Sequence, residues 1–304
     1  MMVKILIIRP AALGDTLMLL PSLDRIRHSA NIVLVGRRPG IDYLRPFVEG
    51  CLDFEGAGWH TLFTDEPEPA NLPSADIASV FLKDVDGKVK RNLESLLPGT
   101  RVHVFPGLPR KTEEIHAALH LARCLRAAGC ESLNPEECIE KALGRPLLQV
   151  DGSTGKRILF HPGSGSRQKN HSPEFWLNLI RTLSNPGFSR GLQPSLLLGP
   201  AEEGLRSFFE ERLHNGWNGV ILFSPGPEDL ISLMREGALY IGQDSGVTHL
   251  AAMMGLPTVA LFRNSSIKMW KPLGPRIRVL RDEMDGSMGT SAVVKEAESL
   301  LGSV

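Results

Sequence analysis

Between Tyr240 and Phe262 the chain reads YIGQDSGVTHLAAMMGLPTVALF, and no other stretch narrows the choice of fold so far. Leu239, Tyr240 and Ile241 form an apolar run that Gly242 punctuates, as at a buried strand end, and Gln243-Asp244-Ser245-Gly246 follows as a polar turn. A helix is expected there. Val247, Leu250, Ala251 and Met254 recur at helical spacing, and Gly255 with Pro257 stops the helix before a strand at Thr258–Phe262. Strand, tight turn and helix are half of a βαβ unit, whose helix N-terminus leaves free N–H groups and positive dipole at the strand's carboxyl end. Such a place suits a phosphate.

Asp244 or Ser245 can cap this helix through a short side-chain oxygen, and Gly246 lets the chain turn into it. Ser245 and His249 stand at i and i+4, so a hydroxyl and an imidazole can converge on one ligand. The plainer reading makes Asp244 and Ser245 caps only and His249 a satisfied core histidine.

Alternation of this kind runs the length of the chain. Val3 to Ile8 is a continuous apolar run, as in a parallel strand buried on both faces. A turn at Arg9–Asp15 leads into a helix over Thr16–Arg27, with Leu17, Leu20, Leu23 and Ile26 in step despite Pro21. Strands are expected at Asn31–Val35, Cys51–Phe54, Ile77–Leu82 and Arg101–Phe105, and helices at Val85–Leu97 and Glu113–Ala128. Glu55–Ser74, rich in Gly, Pro and acids, reads as a surface loop. Leu143–Gly155 has linker composition, and Arg157–Phe160 restarts a buried strand. Helices at Pro173–Leu183, Ala201–Leu213, Pro227–Glu236 and Ser291–Leu301 then alternate with strands at Ser195–Leu198 and Val220–Phe223. The expected class is α/β, with doubly wound parallel sheets in two domains, 1–150 and 156–288, followed by a final helical segment 289–304.

Composition removes several classes. Lys plus Arg and Asp plus Glu are 34 each, so no basic surface argues for nucleic acid, and a 6% aromatic share supplies few bases' worth of stacking. The four cysteines show no CxxC spacing, so neither a zinc ribbon nor a thioredoxin motif is present, and free thiols in a reducing compartment are expected. The Ile5–Ile8 run is too short for a signal-peptide core and is broken at Arg9-Pro10. No run approaches a membrane span. A cytoplasmic chain without cofactors is expected, and peripheral contact with the inner face of a membrane stays compatible with it.

Three further strand ends carry candidate chemistry. His161-Pro162-Gly163-Ser164-Gly165-Ser166-Arg167-Gln168-Lys169 follows a strand directly. Its Gly and Ser residues let backbone amides curl round an anion beside two cations, although an ordinary turn has the same composition. Asp15 sits at the helix entry after the first strand, where open α/β sheets bind ligands and where caps also occur. Glu202 and Glu203 follow Leu196–Gly199, and a carboxylate there can accept from ribose hydroxyls.

Taken together these segments are far more specific. Ile5-Leu-Ile-Ile-Arg-x-x-Ala-Leu-Gly-Asp15, His161-Pro-Gly-Ser-x-x-x-x-Lys169, Leu198-Gly-Pro-Ala-Glu202 and Asp244-Ser-Gly-x-x-His249-Leu-Ala-Ala252 occur in order, and Trp270-Lys-Pro272-Leu-Gly-Pro275 follows. In order and spacing they resemble the glycosyltransferase family 9 proteins, the ADP-heptose:lipopolysaccharide heptosyltransferases and their relatives. The resemblance implies a GT-B architecture: two Rossmann-like domains facing a cleft, acceptor on the first, nucleotide-sugar donor on the second, and a last helix returning to the first. It implies inverting, metal-independent transfer, with Asp15 as general base and Lys169 neutralising the departing diphosphate. Ser164, Gly165, Asp244, Ser245, Gly246 and His249 would hold the donor, and Glu202 or Glu203 the ribose. The chain departs from the family's usual pattern at Asn170-His171, where a Trp-Pro pair is common, and at Arg263-Asn264-Ser265, where Gly-Pro-Thr is common.

The expected function is thus transfer of a sugar, heptose first, from a nucleotide-diphosphate sugar, ADP-heptose first, to a lipopolysaccharide-core or related glycolipid or glycan. Two other readings are a sugar-nucleotide epimerase on the same scaffold and a nucleotide-sugar binder without turnover. A nicotinamide oxidoreductase is disfavoured by the glycine spacing.

Overall fold

The Val3–Ile8 run forms the centre of a sheet, as its lack of alternation requires: from Ile5 onward strand β1 (Val3–Arg9) is buried. The computed structural model describes residues 2–302 apart from 57, 69–70, 111, 149–154, 214–216 and 283–287. It divides into two compact units, 1–141 and 142–304. The division falls just ahead of the expected Leu143–Gly155 linker, most of whose second half lies outside the described residues.

In the first unit β1 is followed by helices α1 (Leu13–Leu17) and α2 (Leu20–Ile26), then β2 (Ala30–Gly36), β3 (Gly50–Asp53), β4 (Ile77–Val80), α3 (Lys88–Leu96), β5 (Arg101–Val104) and α4 (Ala117–Ala127). Helix α5 (Pro135–Gly144) spans the division. The five strands run parallel in the order β3-β2-β1-β4-β5. The single helix expected over Thr16–Arg27 is two. Pro21 has no N–H to give and its ring crowds the carbonyl four residues back, so the helix ends and restarts with Pro21 in its new first turn.

Two other expectations change. Glu55–Ser74 is more than a surface loop, because a 3-10 turn at Trp59–Phe63 buries Trp59 and Leu62 completely in the first unit's core. Helix α5 was not expected. Its start signal is nevertheless present: the Asn134 side chain accepts from Glu137 N at 3.4 Å, and Pro135, Glu136 and Glu137 fill the first turn.

The second unit runs β6 (Arg157–His161), α6 (Pro173–Ser184), α7 (Pro186–Ser189), β7 (Gln193–Leu198), α8 (Glu203–Leu213), β8 (Val220–Phe223), α9 (Pro227–Arg235), β9 (Gly237–Gln243), α10 (Gly246–Met253), β10 (Thr258–Phe262), α11 (Ile267–Trp270), β11 (Ile277–Arg281) and α12 (Thr290–Leu301). Its six strands are parallel in the order β11-β10-β9-β6-β7-β8. One sheet face, with Phe160, Ile241, Val259 and Leu261, packs against Trp176, Ile180 and Leu183 of α6. Helix α12 adds Val293, Ala297 and Leu300, spaced at one face, to that same core. Within the second unit the last helix packs on α6, β9 and β10.

Both sheets reverse direction once. Successive strands move outward on one side of β1 and then start again at β4; in the second unit they move from β6 to β8 and start again at β9. At such a switch point the connections leave the two central strands in opposite directions and open a crevice at the carboxyl edge. No helix among the described residues is long and apolar enough to cross a membrane.

Candidate functional site

The crevice between β6 and β9 is lined by the loops that the sequence singled out. Ser245 is the N-cap of α10: its Oγ accepts from Thr248 N at 3.3 Å. Its backbone is extended there, which turns the first amides of the eight-residue helix toward the strand ends. At the other end Gly255, with φ +82°, closes the helix by bonds from Gly255 N to Ala252 O and Leu256 N to Ala251 O. Ser245 Oγ also lies 3.3 Å from His161 Nδ1, at the tip of β6. Burial pushes the His161 imidazole down to about 4, so it is neutral at physiological pH and can meet the hydroxyl as donor or acceptor.

Asp244 does not cap. Its side chain, 4% exposed, lies 2.8 Å through Oδ2 from Lys169 Nζ and 3.9 Å through Oδ1 from His249 Nε2. The Lys169 side chain, 31% exposed, is thereby held at the helix entrance, where an ammonium has further N–H bonds to offer an anion. This ion pair joins the loop after β6 to the loop after β9, which are distant in sequence.

The two glutamates part company. Glu203 is exposed, whereas Glu202 is buried and its Oε2 accepts from Gly199 N at 2.9 Å. Gly163 and Gly199 flank it: a Cβ at 163 would overlap the carboxylate, and one at 199 would come within 3.0 Å of Oε2. Only glycine at 163 allows the main chain to pass so close. Burial raises the Glu202 pKa, more than the Gly199 N–H lowers it. Ser164 turns inward to its own loop, with Oγ 2.8 Å from Ser166 O and 2.6 Å from Asn170 Oδ1. Gly165 is exposed, and a Cβ there would meet nothing.

In the first unit Asp15 lies in the first turn of α1, whose N-cap is Ala12 and not an acid. Its carboxylate faces the buried Arg9, Nη2 to Oδ1 3.8 Å, while Arg9 Nε donates to Asp15 O at 3.0 Å and Nη1 to Gly107 O at 2.8 Å. Burial lowers the Arg9 pKa to about 10 against the opposing pull of Asp15, which leaves the guanidinium charged. Arg9 thus fixes both the main chain and the carboxylate of Asp15 at the β1/β4 switch point. Sequence reasoning passed it over, though an arginine closing an all-apolar strand was a signal. It gave no role to Gln243, a polar residue ending a buried strand, or to Asp282, and it noted His171 and Arg263 only as departures from the family's pattern. Among the described residues no three His, Cys, Asp or Glu side chains cluster as a metal site requires.

Comparison with known proteins bears on the fold and the family. Among solved structures the chain is similar to a glycosyl transferase family 9 protein from Veillonella parvula DSM 2008, at 18% identity over 99% of this chain and 98% of that one, with a TM-score of 0.72. It is similar to E. coli ADP-heptose lps heptosyltransferase II at 20% identity, 99% of each chain and 0.71, and to E. coli heptosyltransferase WaaC with ADP at 15% identity, 98% and 99% of the chains and 0.71. These likenesses establish the fold, two parallel-sheet α/β domains of the GT-B type. No curated protein sequence matches the chain. The model of glycosyltransferase family 9 (heptosyltransferase) matches residues 135–293, more than half of the chain, and the chain belongs to that family.

Proposed function

We propose that the chain transfers a sugar, heptose first among candidates, from a nucleotide-diphosphate sugar, ADP-heptose first, to a hydroxyl of a lipopolysaccharide-core or related glycan. The observation that carries this reading is the Lys169–Asp244 pair at the entrance of α10, a cation held beside free helix amides at a switch point. The diphosphate lies on those amides with Ser245 and Lys169 against its oxygens, where negative charge grows as the glycosidic bond breaks. Glu202 accepts from the ribose hydroxyls, a role Glu203 is too exposed to share.

Asp15 removes the proton of the acceptor hydroxyl as its oxygen bonds to the anomeric carbon. The bond from that carbon to phosphate breaks on the opposite face, the nucleoside diphosphate departs with the electron pair, and the configuration inverts. Arg9 faces the Asp15 carboxylate at 3.8 Å and orients it toward the proton it takes. The charge on the leaving group is met by Lys169 and the helix amides, so no metal ion is needed. Such a reaction suits the cytoplasmic side of a membrane, with peripheral contact where the acceptor is a glycolipid. The epimerase reading has less support, since the matching family model is that of the transferases.

Thermal-shift measurement against ADP, UDP, GDP and their sugars tests the donor, because a ligand that binds the native state raises the melting temperature. ADP ligands are expected to stabilise; stabilisation by UDP alone would displace ADP-heptose. Asp15→Asn is expected to bind ADP as wild type does and to lose transfer by about 10²–10⁴-fold. Loss of nucleotide binding in that variant would remove Asp15 from the role of base.

A further inference from the structure

The short turn that carries Lys169 is gripped along its main chain. Its carbonyls at 168, 169 and 170 are each taken by a side chain at, or just beyond, the end of another strand of the sheet. Asn264 Nδ2 donates to Gln168 O at 2.7 Å, and Arg263 Nη1 donates to Asn170 O at 3.1 Å. The middle carbonyl belongs to Gln243. With the amide oriented to satisfy both of its ends, its nitrogen donates to Lys169 O at 3.2 Å and to His171 Nδ1 at 3.1 Å. Its oxygen accepts from His171 N at 2.6 Å and from Trp176 Nε1 at 3.2 Å.

The amide oxygen also lies 3.0 Å from His171 Nδ1, so either imidazole tautomer can meet Gln243, and His171 Nε2 faces Asp282 Oδ2 at 3.2 Å. Asp282, only 2% exposed, accepts at its other oxygen from Met288 N at 3.1 Å and has Arg263 Nε 3.5 Å from Oδ2. One buried carboxylate therefore faces both the imidazole behind Gln243 and the guanidinium that holds Asn170. Arg263 and Asn264, adjacent on one loop, thus bond the main chain of the other at Asn170 and Gln168.

We propose that Gln243, Arg263 and Asn264 are positioning residues that clamp the main chain of residues 168–170, so that Lys169 is aimed at a nucleoside diphosphate before the ligand arrives. The clamp rests on the reading of Lys169 as the diphosphate contact. A three-residue 3-10 turn with exposed Arg167 and Gln168 has few packing contacts of its own to hold it. Three side-chain hydrogen bonds supply that order, and order present beforehand is not lost on binding.

The test is a set of double-mutant cycles read by calorimetric titration with ADP and with adenosine, which lacks the phosphates. Asn264 is exposed, so Asn264→Ala leaves the fold intact; Gln243→Met is the buried counterpart. Each is expected to weaken ADP about three- to tenfold and to leave adenosine unchanged. Asn264→Gln, which keeps a donor, is expected to recover most of the loss. In a Lys169→Ala background neither substitution should weaken ADP further, because the group they aim is gone. Equal losses in both backgrounds would overturn the proposal, as would undiminished ADP affinity in both single variants while Lys169→Ala binds weakly. Should Gln243→Met fail to fold, the Asn264 arm decides alone. Undiminished ADP affinity in Lys169→Ala would instead overturn the diphosphate assignment, and the clamp with it.

Discussion

Gly163→Ala separates the proposed ribose contact from the proposed diphosphate contact by adding one methyl group. That methyl would overlap the Glu202 carboxylate, so the side chain must leave its place and surrender the bond that Oε2 accepts from Gly199 N at 2.9 Å. A hydrogen bond to a charged group contributes about 1.5–3 kcal/mol net, and the displaced carboxylate recovers hydration that burial denied it. The expected loss of folding stability is therefore about 1–2 kcal/mol. The loss of affinity is separate. A ribose hydroxyl that bonded to Glu202 loses a charged acceptor, again about 1.5–3 kcal/mol, or roughly ten- to hundredfold in Kd. Calorimetric titration with ADP, alongside competition by inorganic pyrophosphate, reads the two parts apart. ADP should weaken by that factor while pyrophosphate, which lacks ribose, keeps its affinity. A Gly163→Ala protein that binds ADP as tightly as wild type, or that loses both ligands equally, refutes the reasoning.

Three further outcomes are expected. Ser245→Ala removes the cap of α10 and should cost about 1 kcal/mol of stability in chemical denaturation, together with weaker ADP binding; an unchanged midpoint would count against the cap. His161 is held at about 4 from its usual 6.5, so between those values the unfolded chain binds a proton that the folded chain refuses. Stability should accordingly be full above about pH 6.5 and fall by up to about 3 kcal/mol as pH drops toward 4, with a shallower melting-temperature profile in His161→Gln. His171, also shifted downward by burial, acts in the same sense. Glu202 is shifted upward in the free protein, and hydroxyl donors favour its ionised form, so ADP binding at mildly acid pH should release a proton. Titration in buffers of differing ionisation enthalpy measures that release; none at any pH would remove Glu202 from the ribose.

Much of the fold could be read locally, because its strands and their following turns are contiguous signals. Val3–Ile8 and Leu239–Ile241 are apolar without alternation and prove central, and Gly255 stops α10 with a left-handed φ. Elements were lost where two local signals competed. The Pro, Gly and acids of Glu55–Ser74 hid the buried pair Trp59 and Leu62, and linker-like composition after Leu143 drew attention from the Asn134-Pro135 helix start. At the site, position relative to a strand end was readable, but direction was not. Whether Glu202 or Glu203 turns inward depends on the 3-10 turn at Pro200–Glu202, and whether Asp244 or Ser245 caps depends on where Lys169 reaches. The grip on residues 168–170 was beyond sequence reasoning altogether, since its donors and acceptors meet only once β6, β9 and β10 lie side by side.

All the groups proposed to hold the donor, from His161 and Lys169 through Glu202 to Ser245, belong to the unit spanning 142–304, which has its own core, while Arg9 and Asp15 belong to the other. Under the proposed chemistry, the choice of sugar nucleotide and the choice of receiving alcohol are written in separate halves of the polypeptide. Each can drift, or be exchanged for that of a relative, without rewriting the other, which lets one scaffold build many different linkages.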